Sequence, residues 1–309
     1  MEIVRICDAV SQRAACVVAL GFFDGLHIGH RALLEKAVTE AKARGVAAAV
    51  FTFADSLVFK RGKRLCDEES RFALFEETGI ERVYLADFPS LAPLSPEAFV
   101  SEVLIERVFA VAAVCGFNYR FGARASGDAA LLSNLLAPYG VPLFTVAERK
   151  IGDVTVSTTA VKCALAEGRG EDAAAMLGRP HSHTGVVTHG KALGRKIGVP
   201  TANIPFGERI FTPKRGVWVV RCDVEGIDEA VCGVANVGVR PTVDAAGEEN
   251  CEVHFLSPMP VLYGKRVCVH FLRFIREEEV FPDLCALSER ISLDKEIAKE
   301  FFSTWNGQS

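Results

Sequence analysis

The stretch GFFDGLHIGH, residues 21–30, joins an apolar run to an amphipathic segment and decides the fold of the first half of the chain. The apolar run, residues 15–20, predicts a buried strand. Residues 29–44 place apolar side chains at i, i+4 spacing and stop at Gly45, which predicts a helix. A glycine-containing turn between a buried strand and a helix is typical of the ligand-binding edge of an open α/β sheet.

The same alternation of apolar runs and amphipathic segments continues through the first half. Helices are predicted over residues 67–79 and 129–136, and a further helix opens at Ser95-Pro96. Because strands and helices alternate, we expect a Rossmann-like parallel sheet with helices on both faces. The remaining strands of this sheet are predicted over residues 46–53, 82–86, 111–115 and 141–146.

The second half has a different pattern, in which turns rich in Gly, Pro and Asp separate short strands. This pattern favours an antiparallel β-barrel, followed by a C-terminal helix over about residues 283–302. Gly178-Arg179-Pro180 is a candidate junction, so we expect two domains, residues 1–180 and 181–309. The strands of the barrel are predicted over residues 184–188, 217–223, 230–237, 251–256 and 266–274.

The composition is that of a globular protein and limits its partners. Half of the 309 residues are hydrophobic, and the net charge is −4 with a pI of about 6.0. This balance requires neither a nucleic acid nor an anionic membrane as partner. The N-terminus lacks the pattern of a signal peptide, and no apolar run approaches the ~18 residues that span a bilayer. We therefore expect a cytoplasmic protein, whose oligomeric state the sequence leaves open.

Ten cysteines are spread along the chain without a C-x-x-C pair. This usage is typical of small buried side chains in a reducing compartment, and it favours neither a disulfide framework nor a zinc site. Three histidines near the junction, His181, His183 and His189, have no carboxylate or thiol company in the sequence. We interpret them as surface residues.

Two histidines three residues apart, His27 and His30, lie where the first predicted strand turns into its helix. A helix N-terminus favours anions because its backbone N–H groups are free. Imidazoles beside those groups can donate hydrogen bonds to phosphate oxygens and to charge that develops on a leaving pyrophosphate. The chemistry needs no protein nucleophile, since an incoming phosphate can attack the α-phosphate directly.

A second glycine-rich stretch, residues 185–203, begins the second half. Gly190, Lys191, Gly194 and Arg195 would let a backbone close over phosphate groups. Thr201 and Asn203 lie two residues apart, so on an extended segment both project to one side and offer hard oxygen ligands for one Mg²⁺. On these residues alone a glycine-rich hairpin explains the stretch equally well.

These segments together resemble the prokaryotic bifunctional riboflavin kinase/FAD synthetase family, along nearly the whole chain. In the first half the sequence is also similar to the H-x-G-H nucleotidyltransferases. The resemblance rests on residues 21–30, 116–122 and 156–159 in the first half, and on residues 185–203, 236–242 and 251–256 in the second. It implies a nucleotidyltransferase domain that adenylylates FMN to FAD and a barrel domain that phosphorylates riboflavin to FMN.

The resemblance also implies roles for individual residues. His27 and His30 would act at the phosphates, and Glu252, on one strand face with His254, would accept the proton of the ribityl hydroxyl as it attacks ATP. Mg²⁺ is the expected metal, held by Thr201 and Asn203; ATP is a co-substrate, and riboflavin and FMN are substrate and product rather than bound prosthetic groups. Residues implied to bind ATP or its phosphates are Gly21, Phe23, Asp24, Gly29, Asn118, Ser157, Thr158, Lys162, Gly190, Lys191, Gly194 and Arg195. Residues implied to bind flavin are Arg240, Arg276, Glu278 and Phe281.

Two departures from the family pattern concern the adenylyl-transfer site. The family usually reads Thr-Phe-Asp-Pro-His-Pro after the second strand, whereas residues 52–57 read TFADSL. Lys162 stands where arginine is usual, and lysine lacks the planar two-pronged donor group. Two alternatives therefore stand beside the two-site enzyme: a riboflavin kinase with a degenerate first domain, and a flavin-binding regulator without turnover.

Overall fold

The computed structural model describes residues 1–6, 14–54, 62–189, 201–240 and 248–305. The chain forms two compact units. The first comprises Met1–Gly62 and Asp67–Val156, and the second comprises Lys63–Cys66 and Ser157–Ser309. The boundary between these units lies before that expected at residue 180, and the expected domain limits stay a prediction.

The first unit is built on a six-stranded parallel sheet in the order β1-β4-β3-β2-β5-β6. The chain winds from β2 outward through β3 to β4, and then returns to β5 on the other side of β2. The β2–β5 boundary is therefore the point where the strand order reverses, and ligands bind at such a point in open α/β sheets. The strands are β1 (Glu2–Arg5), β2 (Cys16–Leu20), β3 (Ala47–Phe53), β4 (Arg82–Ala86), β5 (Ala110–Gly116) and β6 (Leu143–Val146).

Helices cover both faces of this sheet, as the sequence predicted. Alternate residues of β2 enter different cores: Val18 and Leu20 lie in one cluster, and Val17 and Ala19 in the other. Gly45 ends the first helix in the left-handed conformation, at φ 65°. The helices are α1 (Ile28–Arg44), α2 (Glu68–Glu77), α3 (Phe88–Leu91), α4 (Pro96–Ala98, continued by a π-helical segment Phe99–Ile105) and α5 (Ala129–Leu136), and a small hairpin pairs β7 (Lys150–Ile151) with β8 (Val154–Thr155).

The second unit is an antiparallel six-stranded sheet that curls into a barrel, with the order β10-β13-β12-β11-β14-β9. Its two edges meet where the Thr188 N–H donates to the Asn203 carbonyl at 2.8 Å. The predicted barrel is therefore confirmed. Its elements are α6 (Thr158–Ala166), α7 (Gly170–Leu177), β9 (His181–Val186), β10 (Thr201–Pro205), β11 (Gly216–Val224), β12 (Ile227–Arg240), β13 (Glu248–Phe255), β14 (Arg266–Arg276) and α8 (Leu284–Thr304).

The barrel interior is filled by alternate residues of its strands, with Trp218 and Phe271 completely buried. The prediction that His181 and His183 are surface residues is wrong. Both rings are buried, and His183 stacks on Phe206 at 4.4 Å and lies 2.9 Å from the Pro205 carbonyl oxygen. The reason is the period of two along β9, which turns both histidines to the same side. His189 is exposed, as expected.

Candidate active sites

The H-x-x-H turn lies at the carboxyl end of β2. His27 caps α1, and its Nδ1 accepts a hydrogen bond from the His30 backbone N–H at 3.2 Å. The two imidazole rings stack with their centroids 3.6 Å apart. Gly29 leaves room for this arrangement, because a Cβ there would lie 3.2 Å from the His27 ring. The pair is thus held at the first turn of a seventeen-residue helix.

Burial sets the charge of both histidines. It lowers the pKa of His27 to about 4. Burial, and next the neighbouring His27 ring, hold the pKa of His30 well below its usual value. Both rings are therefore neutral at pH 7 and can each donate one hydrogen bond. His30 Nδ1 is buried and has no hydrogen-bond partner in the described part of the chain, so it can serve a ligand.

Other residues expected at the nucleotide lie at the same sheet edge. Phe23 has a left-handed φ of 58°, and its ring meets His30 edge-on at 5.3 Å. Asp24 is buried within this turn. Asn118 is exposed just beyond β5, and its Oδ1 lies 3.4 Å from where a Cβ of Gly116 would stand. The ends of β2 and β5 are neighbours in the sheet, so the structure brings the histidine turn and the Asn118 loop to one edge. Gly21 precedes the turn, and its N–H donates to the Phe51 carbonyl at 3.2 Å.

Arg71 of α2 is a residue that sequence reasoning missed. Only 2% of its surface is exposed. Its guanidinium donates to the Phe22 carbonyl at 3.2 Å and to the Phe53 carbonyl at 2.9 Å. Thr52 Oγ1 donates to the same Phe22 carbonyl at 3.1 Å. These bonds fix the histidine turn to the end of β3. An arginine in an amphipathic helix gives no sequence signal of such burial, because most arginines are exposed.

The predicted triphosphate segment lies in the second unit. Ser157 caps α6, with its Oγ accepting from the Ala160 N–H at 3.1 Å, and Thr158 is the first helical residue. The Lys162 ammonium donates to the Lys63 carbonyl at 2.5 Å. The departure from the family pattern at residues 55–57 lies outside the described residues.

On the barrel, the register of three strands aligns the predicted kinase residues. Glu252 of β13 lies directly opposite Asn203 of β10 on one side and Asn236 of β12 on the other. Thr201 lies opposite His254 in the next row. Directly paired residues share a face. The neighbours of Glu252 on β13, Cys251 and Val253, fill the barrel interior. Glu252 and the residues paired with it therefore project from the outer face.

The outer face offers a set of oxygen ligands. Asn203 Oδ1 accepts from Asn250 Nδ2 at 3.0 Å, and Asn203 Nδ2 lies 3.5 Å from Thr201 Oγ1. Asn250 Oδ1 is buried and has no hydrogen-bond partner among the described residues. A hydroxyl, amide oxygens and the Glu252 carboxylate are the ligand types that Mg²⁺ prefers. The residues present therefore fit the implied metal. The sequence analysis did not predict Asn250 as a site residue; it lies two residues before Glu252 on β13.

The segment after β14 reaches this face at Glu278. Asn236 Nδ2 donates to Glu278 Oε1 at 3.3 Å, and the same carboxylate lies against Gly238, where a Cβ would collide with it. Arg276, unlike Glu278, makes its contacts with α8. Its guanidinium donates hydrogen bonds to the Asp294 carboxylate at 2.7 and 3.0 Å. Asp294 is 1% exposed. Phe281 lies 5.8 Å from the Arg276 guanidinium.

Several predicted site residues lie outside the described part of the chain. These are Gly190, Lys191, Gly194 and Arg195 of the glycine-rich stretch. Arg240 ends β12, and only its backbone is described.

Two family models match the chain in succession. FAD synthetase matches residues 9–160, and riboflavin kinase matches residues 177–302. The relative from Escherichia coli (strain K12), described as a bifunctional riboflavin kinase/FMN adenylyltransferase, is 35% identical over 311 residues, covering 98% of either chain. The relative of the same description from Bacillus subtilis (strain 168) is 32% identical over 302 residues, covering 94% of each. The chain belongs to the bifunctional riboflavin kinase/FMN adenylyltransferase family.

A solved structure supports the same fold. A crystal structure described as a macrolide-efflux protein from Streptococcus pneumoniae is 28% identical, with a TM-score of 0.87 over 99% of this chain and all of that one. Among the described residues of the present chain, no helix combines the length and apolar character needed to cross a membrane.

Proposed function

We propose that the second unit transfers the γ-phosphate of Mg-ATP to riboflavin and that the first unit adenylylates FMN to FAD with release of pyrophosphate. The observation that carries the kinase assignment is the aligned row Asn203–Glu252–Asn236 on the barrel. The adenylyl-transfer assignment is supported by the neutral histidine pair at the β2–β5 edge. Both family models support the pairing of these activities in one chain.

In the kinase site, Thr201 and Asn203 would hold Mg²⁺, which neutralises phosphate charge when bound. Glu252 accepts the proton of the primary ribityl hydroxyl, whose oxygen bonds to the γ-phosphorus as the bond to ADP breaks. Asn236 on the opposite strand holds Glu278 by its amide, and Gly238 leaves space for that carboxylate. We propose that Glu278 binds the flavin, and its contact with Asn236, in the row of Glu252, supports this role.

In the adenylyl-transfer site, an FMN phosphate oxygen attacks the α-phosphate of ATP, and the bond to pyrophosphate breaks. His27 and His30 donate neutral N–H groups to the phosphates, and the positive end of the α1 dipole adds to the attraction for the anion. His30 Nδ1 is buried and has no hydrogen-bond partner among the described residues. A bound phosphate would supply this partner. Asn118 lies at the same edge and would contact the nucleotide.

One incubation tests the function and its alternatives. Purified protein, riboflavin, MgCl₂ and ATP are combined, and the flavins are resolved by chromatography. We expect FAD. FMN as the end product would support a kinase with a degenerate first unit, and unchanged riboflavin would support a flavin-binding regulator.

Two substitutions test the separation of the sites. Glu252→Gln should reduce FMN formation by about 10²-fold or more, the range typical of a lost general base, and leave conversion of added FMN to FAD intact. His30→Ala should do the opposite. Glu229→Gln, at an exposed position of β12, is the matched control for the charge change. Loss of both activities in a folded Glu252→Gln protein would overturn the assignment of independent sites.

A further inference from the structure

A cysteine, a histidine and an aspartate converge on the outer face of the barrel, on two strands that carry none of the aligned row Asn203–Glu252–Asn236. Cys268 and His270 lie two residues apart on β14, and Asp223 of β11 lies directly opposite Cys268. One donor atom from each of the three side chains lies within 4.8 Å of the other two. The His270 Nε2 is 2.6 Å from Asp223 Oδ2.

The surroundings of the cluster are polar. Thr184 of β9 lies opposite Cys268, and Ser182 of the same strand lies opposite His270. Arg221, two residues before Asp223, lies opposite His270 and is a neighbouring cation on this face, as is Arg266, two residues before Cys268 on β14. The Asp223 side chain is 54% exposed and that of His270 is 17% exposed. An ion could thus enter from solvent and keep a water on its open side.

The charges at the cluster depend on each other. Burial alone would raise the pKa of the Cys268 thiol, but hydrogen bonds with His270 and Thr184 bring it below its usual value. Burial would lower the pKa of His270, whereas Cys268 and Asp223 raise it above its usual value. The three side chains therefore already interact with one another at the positions that a cation would fill.

We propose that Asp223, Cys268 and His270 bind a divalent ion of the zinc class. The donor atoms are one sulfur, one imidazole nitrogen and one carboxylate oxygen, which suit zinc, whereas Mg²⁺ prefers oxygen ligands alone. Three protein ligands leave the fourth tetrahedral position to water. With the thiol and imidazole deprotonated, the ligands carry two negative charges, which favour a divalent cation at the point where their donor atoms meet. The ion would link the two neighbouring strands β11 and β14 through their side chains. This site is distinct from the Mg²⁺ site proposed on β10.

The cysteine pattern gave no indication of this site, because zinc sites are recognised in sequence by closely spaced ligand pairs. Here two ligands are spaced by the period of one strand, and the third comes from another strand of the barrel. The proposal therefore departs from the expectation that the cysteines of this chain form no zinc site.

The test uses the full chain, freed of metal by a chelator and titrated with ZnCl₂, with MgCl₂ as the comparison. We expect one high-affinity equivalent of Zn²⁺ at this site and a rise in melting temperature of roughly 5 °C or more at a free concentration about 100 times Kd. Co²⁺ serves as a spectroscopic probe, because coordination by a thiolate gives a sulfur-to-metal charge-transfer band. MgCl₂ should give neither the high-affinity equivalent nor the shift.

Cys268→Ser and His270→Gln should each weaken Zn²⁺ binding by about tenfold or more, and Cys268→Ser should abolish the Co²⁺–thiolate band. The matched control is Cys285→Ser, an exposed cysteine at the start of α8, which should change neither. If Cys268→Ser fails to fold, Asp223→Asn keeps the test available, because its side chain is half exposed. Binding unchanged in all three cluster variants, or a cobalt band that is lost only with Cys285, would overturn the proposal.

Discussion

Replacement of Arg71 tests whether the histidine turn owes its position to the neighbouring helix. The Arg71→Met variant removes charge-assisted hydrogen bonds to the carbonyls of Phe22 and Phe53, and an ion pair with Glu68 at 3.5 Å. Each such bond contributes about 1.5–3 kcal/mol, and water cannot replace it because the side chain is 2% exposed. Methionine suits the apolar site and avoids the desolvation of a guanidinium, which offsets part of the loss. We expect a net destabilisation of about 2–4 kcal/mol.

The functional effect should be confined to one activity. Phe22 lies in the turn that carries His27 and His30, so a looser turn should lower kcat/KM for conversion of FMN to FAD by about 10–100-fold, the equivalent of 1.4–2.8 kcal/mol. FMN formation from riboflavin should not change. Arg71→Lys keeps the charge but not the two-pronged geometry, so it should fall between wild type and Arg71→Met.

The measurements are urea unfolding and steady-state kinetics of both reactions. Lys42→Met, an exposed position on α1, is the control for loss of a positive charge. Arg71 does not position the histidine turn if Arg71→Met retains wild-type FAD formation, or if it lowers both activities equally in a folded protein. Arg71→Lys equal to Arg71→Met in both assays would show that charge alone does not hold the turn.

Three further predictions concern both units. Asp294→Ala leaves the largely buried guanidinium of Arg276 without its carboxylate and should destabilise the barrel by about 3 kcal/mol in urea unfolding; an unchanged unfolding midpoint would contradict this. Because burial lowers the pKa of His27 to about 4, the unfolded chain binds more protons below pH ~6.5, so stability should fall from pH ~6.5 to ~4 by up to ~3 kcal/mol, and by less in His27→Gln. Equal losses in the two proteins would show that other groups cause the effect. Gly238→Ala should displace the Glu278 carboxylate and raise the KM for riboflavin with little change in stability; an unaltered KM would separate Glu278 from the flavin.

Most of the fold and part of each site could be predicted from short sequence patterns. The end of α1 at Gly45 and the cap of α2 at Asp67 were both predictable, because a left-handed glycine and a carboxylate acceptor act within one turn. The histidine pair was predictable for the same reason, since both members belong to one helix start. Strands β1 and β10 were not predicted as strands, because each is only four or five residues long and carries just two aliphatic side chains, too few to define a period.

Residues that act across elements could not be found in this way. Asn250 acquires its role from the pairing of β10 with β13, which places its amide on Asn203. Asp294 acquires its role from the packing of α8 on the barrel, where it neutralises Arg276. The family resemblance implied that Arg276 binds flavin. The structure shows that its guanidinium also forms an ion pair with Asp294.

The cluster of Asp223, Cys268 and His270 shows how much depends on strand register. Counting along a regular ladder from the pair Val217 and Arg276 would set Asp223 opposite His270. The observed ladder has one-residue shifts at Val217/Trp218 and again at Val219/Val220, so Asp223 lies opposite Cys268 instead. At each shift the extra residue lies in β14, so one shift alone would set Asp223 opposite Val269 and would place Cys268 and His270 on the other face. Two shifts restore the face and move the carboxylate by one pair along it. The pairing of Asp223 with Cys268 rather than with His270 is therefore set by two irregularities in the sheet, and period-two reasoning on either strand alone cannot predict it.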